Sequence, residues 1–353
     1  MSTTPKLDQG TKPTYSVAVS SVKELANLNS IPSSYVHPTL TNCEANDSSP
    51  DDGSIPIIDF SLLVSDDPDE RSRMIEELGK ACRNWGFFMV VNHGVSESLM
   101  SSMLNKFDEF FNLTAEEKLQ FAEKHVLDPI RYGTSFNVLA EDSHFWRDYL
   151  KIVVHPQFHS PNKPTGFREV AMEYSKKVRD LVAQLLRGIS ITLGLEQQYL
   201  HNILNLDSSF QILVGNYYPP CPEPELALGL PPHSDDGLLT LLTQNGIGGL
   251  QIKHDGKWVQ VNPLPNSLLV NTGDHLEVLS NGKYKSVLHK AVVNNRAKRI
   301  SVAVANGPAI DAVVAPAPSD APAQFKAMVY KEYLEYQQSG KLVGNTCLDV
   351  IRI

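Results

Sequence analysis

Cysteine is scarce in this chain, and the little there is shows no pattern. Its four cysteines, Cys43, Cys82, Cys221 and Cys347, form no Cys-x-x-Cys pair and have no spacing suited to zinc or to a disulfide framework. They read as reduced thiols, which predicts a reducing compartment, by default the cytosol. Long apolar runs are also missing. No stretch of about 18 apolar residues occurs, and the opening Met-Ser-Thr-Thr-Pro-Lys has no apolar signal core. Together these predict a soluble, cytoplasmic protein with no secretory signal and no membrane span. Basic charge is in deficit: 31 Lys and Arg against 40 Asp and Glu leave a formal charge of −9 and a pI near 5.7. A nucleic-acid-binding domain displays a basic stripe, so nucleic acid is not expected as a partner. Charged residues at 20% are too few for a disordered chain, and hydrophobic residues at 42% suffice for a sizeable core.

What is present changes character along the chain. Residues 1–54 are polar and punctuated by Pro5, Pro13, Pro32, Pro38 and Pro50, which predicts an extended N-terminal arm. Residues 55–60 form a short apolar strand. Asp67-Pro68 then supplies an N-cap and a first-turn proline for a helix with Met74, Ile75, Leu78, Ala81, Cys82 and Trp85 on its stripe and Gly86 at its stop. A strand at 87–92, a helix opened by Ser96 and a capping box at Thr114-x-x-Glu117 follow. Residues 126–145 read as irregular, and 146–154 as a strand with Tyr149 and Lys151 on one face. Residues 167–194 carry the longest helical period and 197–204 a short one. From 210 onward the pattern is short strands, at 211–218, 238–243, 250–253, 257–262, 267–271, 283–289 and 300–305, before a closing helix at 324–337. This predicts an α+β chain in which 55–205 is an α/β region packing on a barrel or sandwich at 206–310, with 311–353 as a C-terminal segment and helix near the barrel mouth.

Pro-Pro-His-Ser-Asp-Asp-Gly at 231–237 is the stretch with chemistry in it. In a strand, positions i and i+2 share a face, so His233 and Asp235 aim an imidazole and a carboxylate at one point. His289 offers a third ligand, 54 residues after Asp235, and Arg299-Ile-Ser301 follows ten residues later with a guanidinium and a hydroxyl on one strand face. Two histidines and one carboxylate are the facial triad of non-haem Fe(II) oxygenases, which leaves positions open for a cosubstrate and dioxygen. A planar, permanently charged fork nearby suits two-point recognition of a carboxylate. A lone His-x-Asp is usually just a solvated pair; the whole set within a β-rich half is specific. His275-x-Glu277 competes with the same spacing. If Asn281-Gly282 is a two-residue hairpin turn, Asp274 falls opposite His289, and His275 and Glu277 point to the other face. His93, at a strand-to-helix turn, reads as a hydrogen-bonded structural histidine.

These residues, with Ile-Pro-Ile-Ile-Asp-Phe at 55–60, Trp-Gly-Phe-Phe-Met-Val-Val-Asn-His-Gly at 85–94 and Asn-Tyr-Tyr-Pro-Pro-Cys-Pro at 216–222, carry a nearly whole-length resemblance to the plant-type 2-oxoglutarate- and Fe(II)-dependent dioxygenases. That group holds anthocyanidin synthase, flavanone hydroxylase and the gibberellin oxidases. The resemblance implies a double-stranded β-helix (jelly-roll) core flanked by N-terminal helices and a C-terminal helix. It implies Fe(II), 2-oxoglutarate and dioxygen as cofactors, with ascorbate as reductant, and a small-molecule substrate oxidised by a monomer. His233, Asp235 and His289 would hold the metal, and Arg299, Ser301, Asn216 and Tyr218 the cosubstrate. By family position Tyr149, Lys151, Val214, Ser234 and Ala305 would line the substrate pocket, joined by Phe136 and Phe325 as aromatics near the mouth. Flavonoid-oxidising relatives carry a stacking aromatic where this chain has Ala305, so a flavonoid substrate is disfavoured. Lys151 would meet a substrate carboxylate or phenolate, or else snorkel as an ordinary surface lysine. Hydroxylation is the expected outcome; desaturation or demethylation would use the same iron site. An oxidase of the same fold that does without 2-oxoglutarate is the alternative enzyme, and a non-catalytic jelly-roll binding protein the alternative class.

Overall fold

A computed structural model describes residues 21–37, 55–122, 125, 127–135, 143–338 and 347–353. Its elements begin with the helix α1 (Val22–Leu25), β1 (Ile57–Asp59), α2 (Phe60–Leu63) and α3 (Pro68–Asn84). The Asp67 carboxylate accepts from the amides of Asp69 and Glu70 at 2.9 and 3.3 Å, so the expected N-cap is what starts α3. Next come β2 (Phe87–Val91), α4 (Glu97–Phe111), α5 (Ala115–Leu119), β3 (Ile130–Thr134), β4 (Asp148–His155), α6 (Phe167–Thr192) and α7 (Tyr199–Ile203). Ser96 caps α4 through the Leu99 amide, and Thr114 with Glu117 closes the capping box on α5. The second half runs β5 (Ser209–Tyr218), β6 (Leu228–His233), β7 (Leu239–Gln244), β8 (Leu250–His254), β9 (Lys257–Val261), β10 (Leu268–Thr272), α8 (Asp274–Leu279), β11 (His289–Val292) and β12 (Arg299–Ala309). The short β13 (Val313–Val314) and β14 (Met328–Val329), then α9 (Tyr330–Gln338) and α10 (Cys347–Ile351), end the chain.

The strands form an eight-stranded sheet, β1-β2-β10-β7-β12-β5-β4-β3, and a four-stranded sheet, β6-β11-β8-β9. One face of the large sheet meets α3, α4 and α6 in the main core, where Phe107, Phe110, Phe167, Tyr174, Leu185 and Ile189 are fully enclosed. α4 comes so close to β5 that a Cβ on Gly215 would lie 2.0 Å from the Phe107 ring, so glycine is required there. The other face looks across to the small sheet, and Phe87 and Met89 pack with Leu250, Ile252 and Val261 between them. This is the expected α+β jelly roll, a large sheet with helices behind it and a smaller sheet in front. The described part of the N-terminal arm lies on the body. Val22, Ile31 and Tyr35 pack with Trp146, Cys221 and Ala227, and Ser21 and the Val22 amide donate to the buried Asp148 carboxylate.

Four local expectations are corrected. Residues 130–134, expected to be irregular, form β3, because the outer edge of β4 offers a full ladder from Ile130↔Ile152 to Thr134↔Asp148. Asn281-Gly282 is not a hairpin turn. Residues 274–279 are the helix α8, and Asn281 (φ 51°) and Gly282 (φ 79°) are its left-handed stop, with the Gly282 amide donating to Glu277 O at 2.8 Å. The strand expected at 283–289 starts only at His289, because the Thr272 hydroxyl donates to the Lys285 carbonyl at 2.5 Å and the Glu277 carboxylate accepts from the Ser286 amide at 2.7 Å, away from any ladder. The closing helix starts at Tyr330, not 324, since the Gln324 amide donates to Asn281 Oδ1 and the Lys326 amide to Ile351 O.

Candidate active site

Between the two sheets lies a cavity of about 200 Å³. His233 ends β6 and His289 begins β11, and the antiparallel register sets them directly opposite each other, with ring centroids 4.2 Å apart. Each ring is oriented in the same way: Nδ1 bonds the carbonyl two residues earlier, Pro231 O at 2.8 Å for His233 and Val287 O at 3.2 Å for His289. A carbonyl can only accept, so the ring proton sits on Nδ1 and Nε2 is the nitrogen able to ligate. Both Nε2 atoms lie 3.8 Å from Asp235 Oδ1. Asp235 is not on the strand, as the period-2 argument assumed; β6 ends at His233 and Asp235 sits in the turn that follows. Its carboxylate is aimed by the Asn271 side chain on β10, which donates to Oδ2 at 2.8 Å and leaves Oδ1 to face the imidazoles.

Among the described residues this is the one cluster of three His, Cys, Asp or Glu side chains able to hold a metal ion, with its ligand atoms within 4.8 Å of one another. Burial first, and then the adjacent His289, push the His233 imidazole below its usual range, so it stands neutral and ready to ligate. Burial works against ionisation of Asp235, but the imidazoles of His289 and His233 and the Asn271 amide outweigh it and hold the carboxyl low. Two imidazoles, one carboxylate and the cavity beside them fit a ferrous ion.

Arg299 opens β12 opposite Tyr218 and lies over that ring, with Cζ 5.1 Å from the centroid. It is 3% exposed, donates to Gln244 Oε1 at 2.9 Å, leaves Nε without a partner, and has no ion pair among the described residues. Burial lowers its pKa, the sign expected of a cation held away from water. Ser301, two residues on, faces Asn216 across the ladder, and the Asn216 amide donates to Ser301 Oγ at 3.4 Å. The register therefore brings Arg299, Ser301, Asn216 and Tyr218 into the lining that holds the triad.

Of the remaining expected residues, Lys151, Val214, Ser234 and Ala305 line the cavity. Tyr149 does not. It is 3% exposed and its hydroxyl lies over Gly133, where a Cβ would stand 2.5 Å away. Phe325 does not either; it is 1% exposed in the core on the helical side, with the Arg352 guanidinium over its ring, because residues 324–326 are tied to Asn281 and Ile351. Phe136 lies outside the described residues. His275 and Glu277 serve α8: His275 Nδ1 bonds Asp236 O, and Glu277 accepts from the Ser286 amide, Lys285 and Arg352. His93 Nδ1 accepts from the Val95 amide at 3.2 Å. Sequence reasoning missed Arg131, Arg147, Asn271, Leu334 and Gln337, all of which line the cavity, and Gln244, which accepts from Arg299. Arg147 could have been found, since it is two residues before Tyr149 and shares its face by the parity already used. Asn271 carries no such signal.

The fold and the site have counterparts among known proteins. Residues 209–308 match the 2OG-Fe(II) oxygenase superfamily, and residues 55–173 match the family described as non-haem dioxygenase in morphine synthesis N-terminal. The chain is 47% identical over 304 residues to 2-oxoglutarate-dependent dioxygenase 19 of Oryza sativa subsp. japonica, covering 85% of this chain and 90% of the relative. It is 42% identical over 310 residues to flavanone 3-dioxygenase 2 of the same organism, covering 85% and 88%. The crystal structure of JOX2 in complex with 2OG, Fe and JA superposes with a TM-score of 0.84 at 31% identity, covering 95% of this chain and 98% of that one. A triad oriented by carbonyls and an amide, a buried arginine in the same cavity, and matches that span both halves of the chain lead to one conclusion: this protein belongs to the 2OG-Fe(II) oxygenase superfamily, as an Fe(II)- and 2-oxoglutarate-dependent dioxygenase.

Proposed function

We propose that His233, Asp235 and His289 are the Fe(II) ligands and that Arg299 and Ser301, helped by Asn216 and Tyr218, hold the far carboxylate of 2-oxoglutarate. The observation behind this reading is the Arg299 guanidinium, buried in the cavity of the triad with an unpartnered Nε and no carboxylate of its own among the described residues. A buried cation without a counter-ion is costly, and a dicarboxylate cosubstrate supplies the missing charge. When bound, iron and 2-oxoglutarate supply the oxidant from dioxygen and release succinate and CO2, with ascorbate as reductant. The chain's part is placement. The triad fixes the metal, Arg299 and Ser301 fix one end of the cosubstrate, and Leu230, Leu242, Leu250 and Leu269 keep the lining dry around them. Ala305, with its small side chain on the same β12 face as Arg299 and Ser301, leaves room for a substrate.

That substrate is a small hormone-like or specialised metabolite, and hydroxylation is the outcome. Support comes from the cavity's size and from relatives that include flavanone 3-dioxygenase 2 and the JOX2 complex with JA. In this reading residues 206–310 are the catalytic core, 55–205 buttress it, and 311–353 reach its mouth through α9, whose Leu334 and Gln337 line the cavity. The enzyme works as a cytoplasmic monomer. Arg299→Lys tests the assignment: it keeps the charge and loses the fork, so the KM for 2-oxoglutarate should rise about tenfold or more, in keeping with about 1.5–3 kcal/mol for a hydrogen bond to a charged group. Succinate release at varied 2-oxoglutarate measures this, and an unchanged KM would remove Arg299 from the cosubstrate site.

A further inference from the structure

Antiparallel register sets Thr240 on β7 between Asn271 on β10 and Ala305 on β12, and all three side chains line the cavity. Two of the three are accounted for. Asn271 donates to Asp235 Oδ2 at 2.8 Å, and Ala305 contributes only a methyl group beside the space left for a substrate. Thr240 is different. It is 6% exposed, and among the described residues its Oγ1 is shut off from solvent without a hydrogen bond of ordinary geometry.

A buried hydroxyl in that state is costly, and folded proteins seldom keep one. In a helix the threonine could turn its hydroxyl back to the carbonyl one turn earlier. β7 offers no such route, because its backbone is shared out between the ladder to β10 on one side and the ladder to β12 on the other. Valine has the same shape, favours strands and carries no hydroxyl to satisfy, so packing alone gives no reason for threonine here. The acceptor within reach of its influence is the Asp235 carboxylate. Against the cost of burial, the imidazoles of His289 and His233 hold that carboxyl low, and the Asn271 amide and the Thr240 hydroxyl add to them. Asp235 has need of a second donor, since it stands in the turn after β6 where no ladder fixes its side chain. One donor holds one oxygen and lets the carboxylate swing about it; another from the adjacent strand sets its plane. The two oxygens offer about four lone-pair sites, so accepting twice still leaves a pair for a metal ion.

We propose that Thr240 is a positioning residue of the metal site: with the ion bound, its hydroxyl donates to the Asp235 carboxylate and, together with Asn271, fixes the plane in which that carboxylate meets the metal. The proposal rests on the reading of His233, Asp235 and His289 as the Fe(II) ligands. Thr240 acts through Asp235 and not on the metal itself. A hydrogen bond to an ionised carboxylate is of the stronger, charge-assisted kind, and outer partners of this sort set both how tightly a ligand holds its metal and from which direction.

Anaerobic titration of Fe(II) into the full chain tests it, in wild type, Thr240→Val and Thr240→Ser. Valine keeps the shape and removes the hydroxyl; serine keeps the hydroxyl and removes the methyl. Fe(II) affinity should fall about fivefold or more in Thr240→Val and stay within about twofold of wild type in Thr240→Ser. The visible bands of bound Co(II), which report the arrangement of the ligands, should shift in Thr240→Val and match wild type in Thr240→Ser. A threonine that only packs gives the reverse order, with valine tolerated and serine impaired, and that result overturns the proposal. So does an equal loss in both variants. Thr240→Ala against Thr240→Ser repeats the comparison with side chains that differ only in the hydroxyl, so the test stands even where valine unfolds the chain. The wild-type titration separates the two readings: no Fe(II) binding there sinks the ligand assignment, whereas normal binding that Thr240→Val leaves unchanged sinks the role of Thr240 alone.

Discussion

At the triad end of the cavity the atoms turned away from the centre of the cluster are committed elsewhere: Nδ1 of His233 and of His289 to backbone carbonyls, and Oδ2 of Asp235 to Asn271. The opposite wall is built the other way round. There Arg147 and Lys151 lie over one tyrosine ring, and Arg147 donates to a backbone carbonyl and an amide oxygen, both neutral. The first end gathers lone pairs, a donor set that suits a cation; the second gathers cationic side chains. At the triad, neutral neighbours do the orienting and leave His289 Nε2 and Asp235 Oδ1 turned to the centre of the cluster. The difference also shows how the chain uses its two sheets. The histidines face each other on the small sheet, while the cations come from the outer strands of the large one.

The comparison breaks most severely at the triad. His233→Ala, Asp235→Ala and His289→Ala should each reduce succinate release to background while circular dichroism stays native, because the metal needs all three ligands and the core does not. His275→Ala should keep its iron in the same assay; loss of iron there with retention in His289→Ala would reverse the ligand assignment. A smaller effect is expected from the residue that orients Asp235. Asn271→Ala should weaken Fe(II) binding by about 10- to 100-fold, the usual cost of losing a ligand's outer partner, and anaerobic metal titration reads it directly. Unaltered affinity would mean that the turn alone aims Asp235.

On the wall away from the metal, Ala305→Phe should reduce kcat/KM for the native substrate by about tenfold or more through a clash of about 1–3 kcal/mol. Succinate release should continue uncoupled from product, since the cosubstrate end is untouched. If succinate and product fall together, residue 305 borders the cosubstrate instead. The smallest effect concerns a carboxyl behind the iron end. Burial raises Asp274 to about 7, and the hydroxyl of Tyr333 donates to it at 2.7 Å. The folded chain thus holds a proton that the unfolded chain releases near the ordinary carboxylate value. That contribution is fully present at about pH 4 and is lost as pH rises through 7. Asp274→Asn removes the ionisation, so its Tm relative to wild type should climb between pH 4 and 8 by about a few degrees. A pH-independent difference would show that Asp274 is already ionised in the folded protein.

Periodicity made the helices and the barrel half legible. The caps at Asp67, Ser96 and Thr114 act where expected, and six of the seven strands expected from residue 210 onward lie within a few residues of their expected bounds, the exception being 283–289. The same period-2 argument brought Arg299 and Ser301 to one face. It failed where a local pattern served a different tertiary purpose. Asn-Gly at 281–282 supplies the positive φ that a hairpin needs, and a helix stop needs the same φ, so the dipeptide could not say which. Tyr149 was rightly placed on the cavity-facing side of β4, yet its ring turns to lie over a glycine on the neighbouring strand, a contact no single stretch of chain contains.

The sequence by itself determined the kind of chemistry: two imidazoles, a carboxylate and an arginine, in an order and spacing that admit iron and a dicarboxylate. Ligand type is a property of residues, and it survives any error in strand bounds. Tertiary structure alone decided which neighbours complete the site. Asn271 meets Asp235 only because β10 lies beside β7 and Asp235 in its turn reaches back over that sheet; Arg131 meets Lys151 only because β3 adds to the edge of β4. Such contacts depend on strand order and register, which arise from how whole sheets pack and leave no periodic trace in the residues that make them.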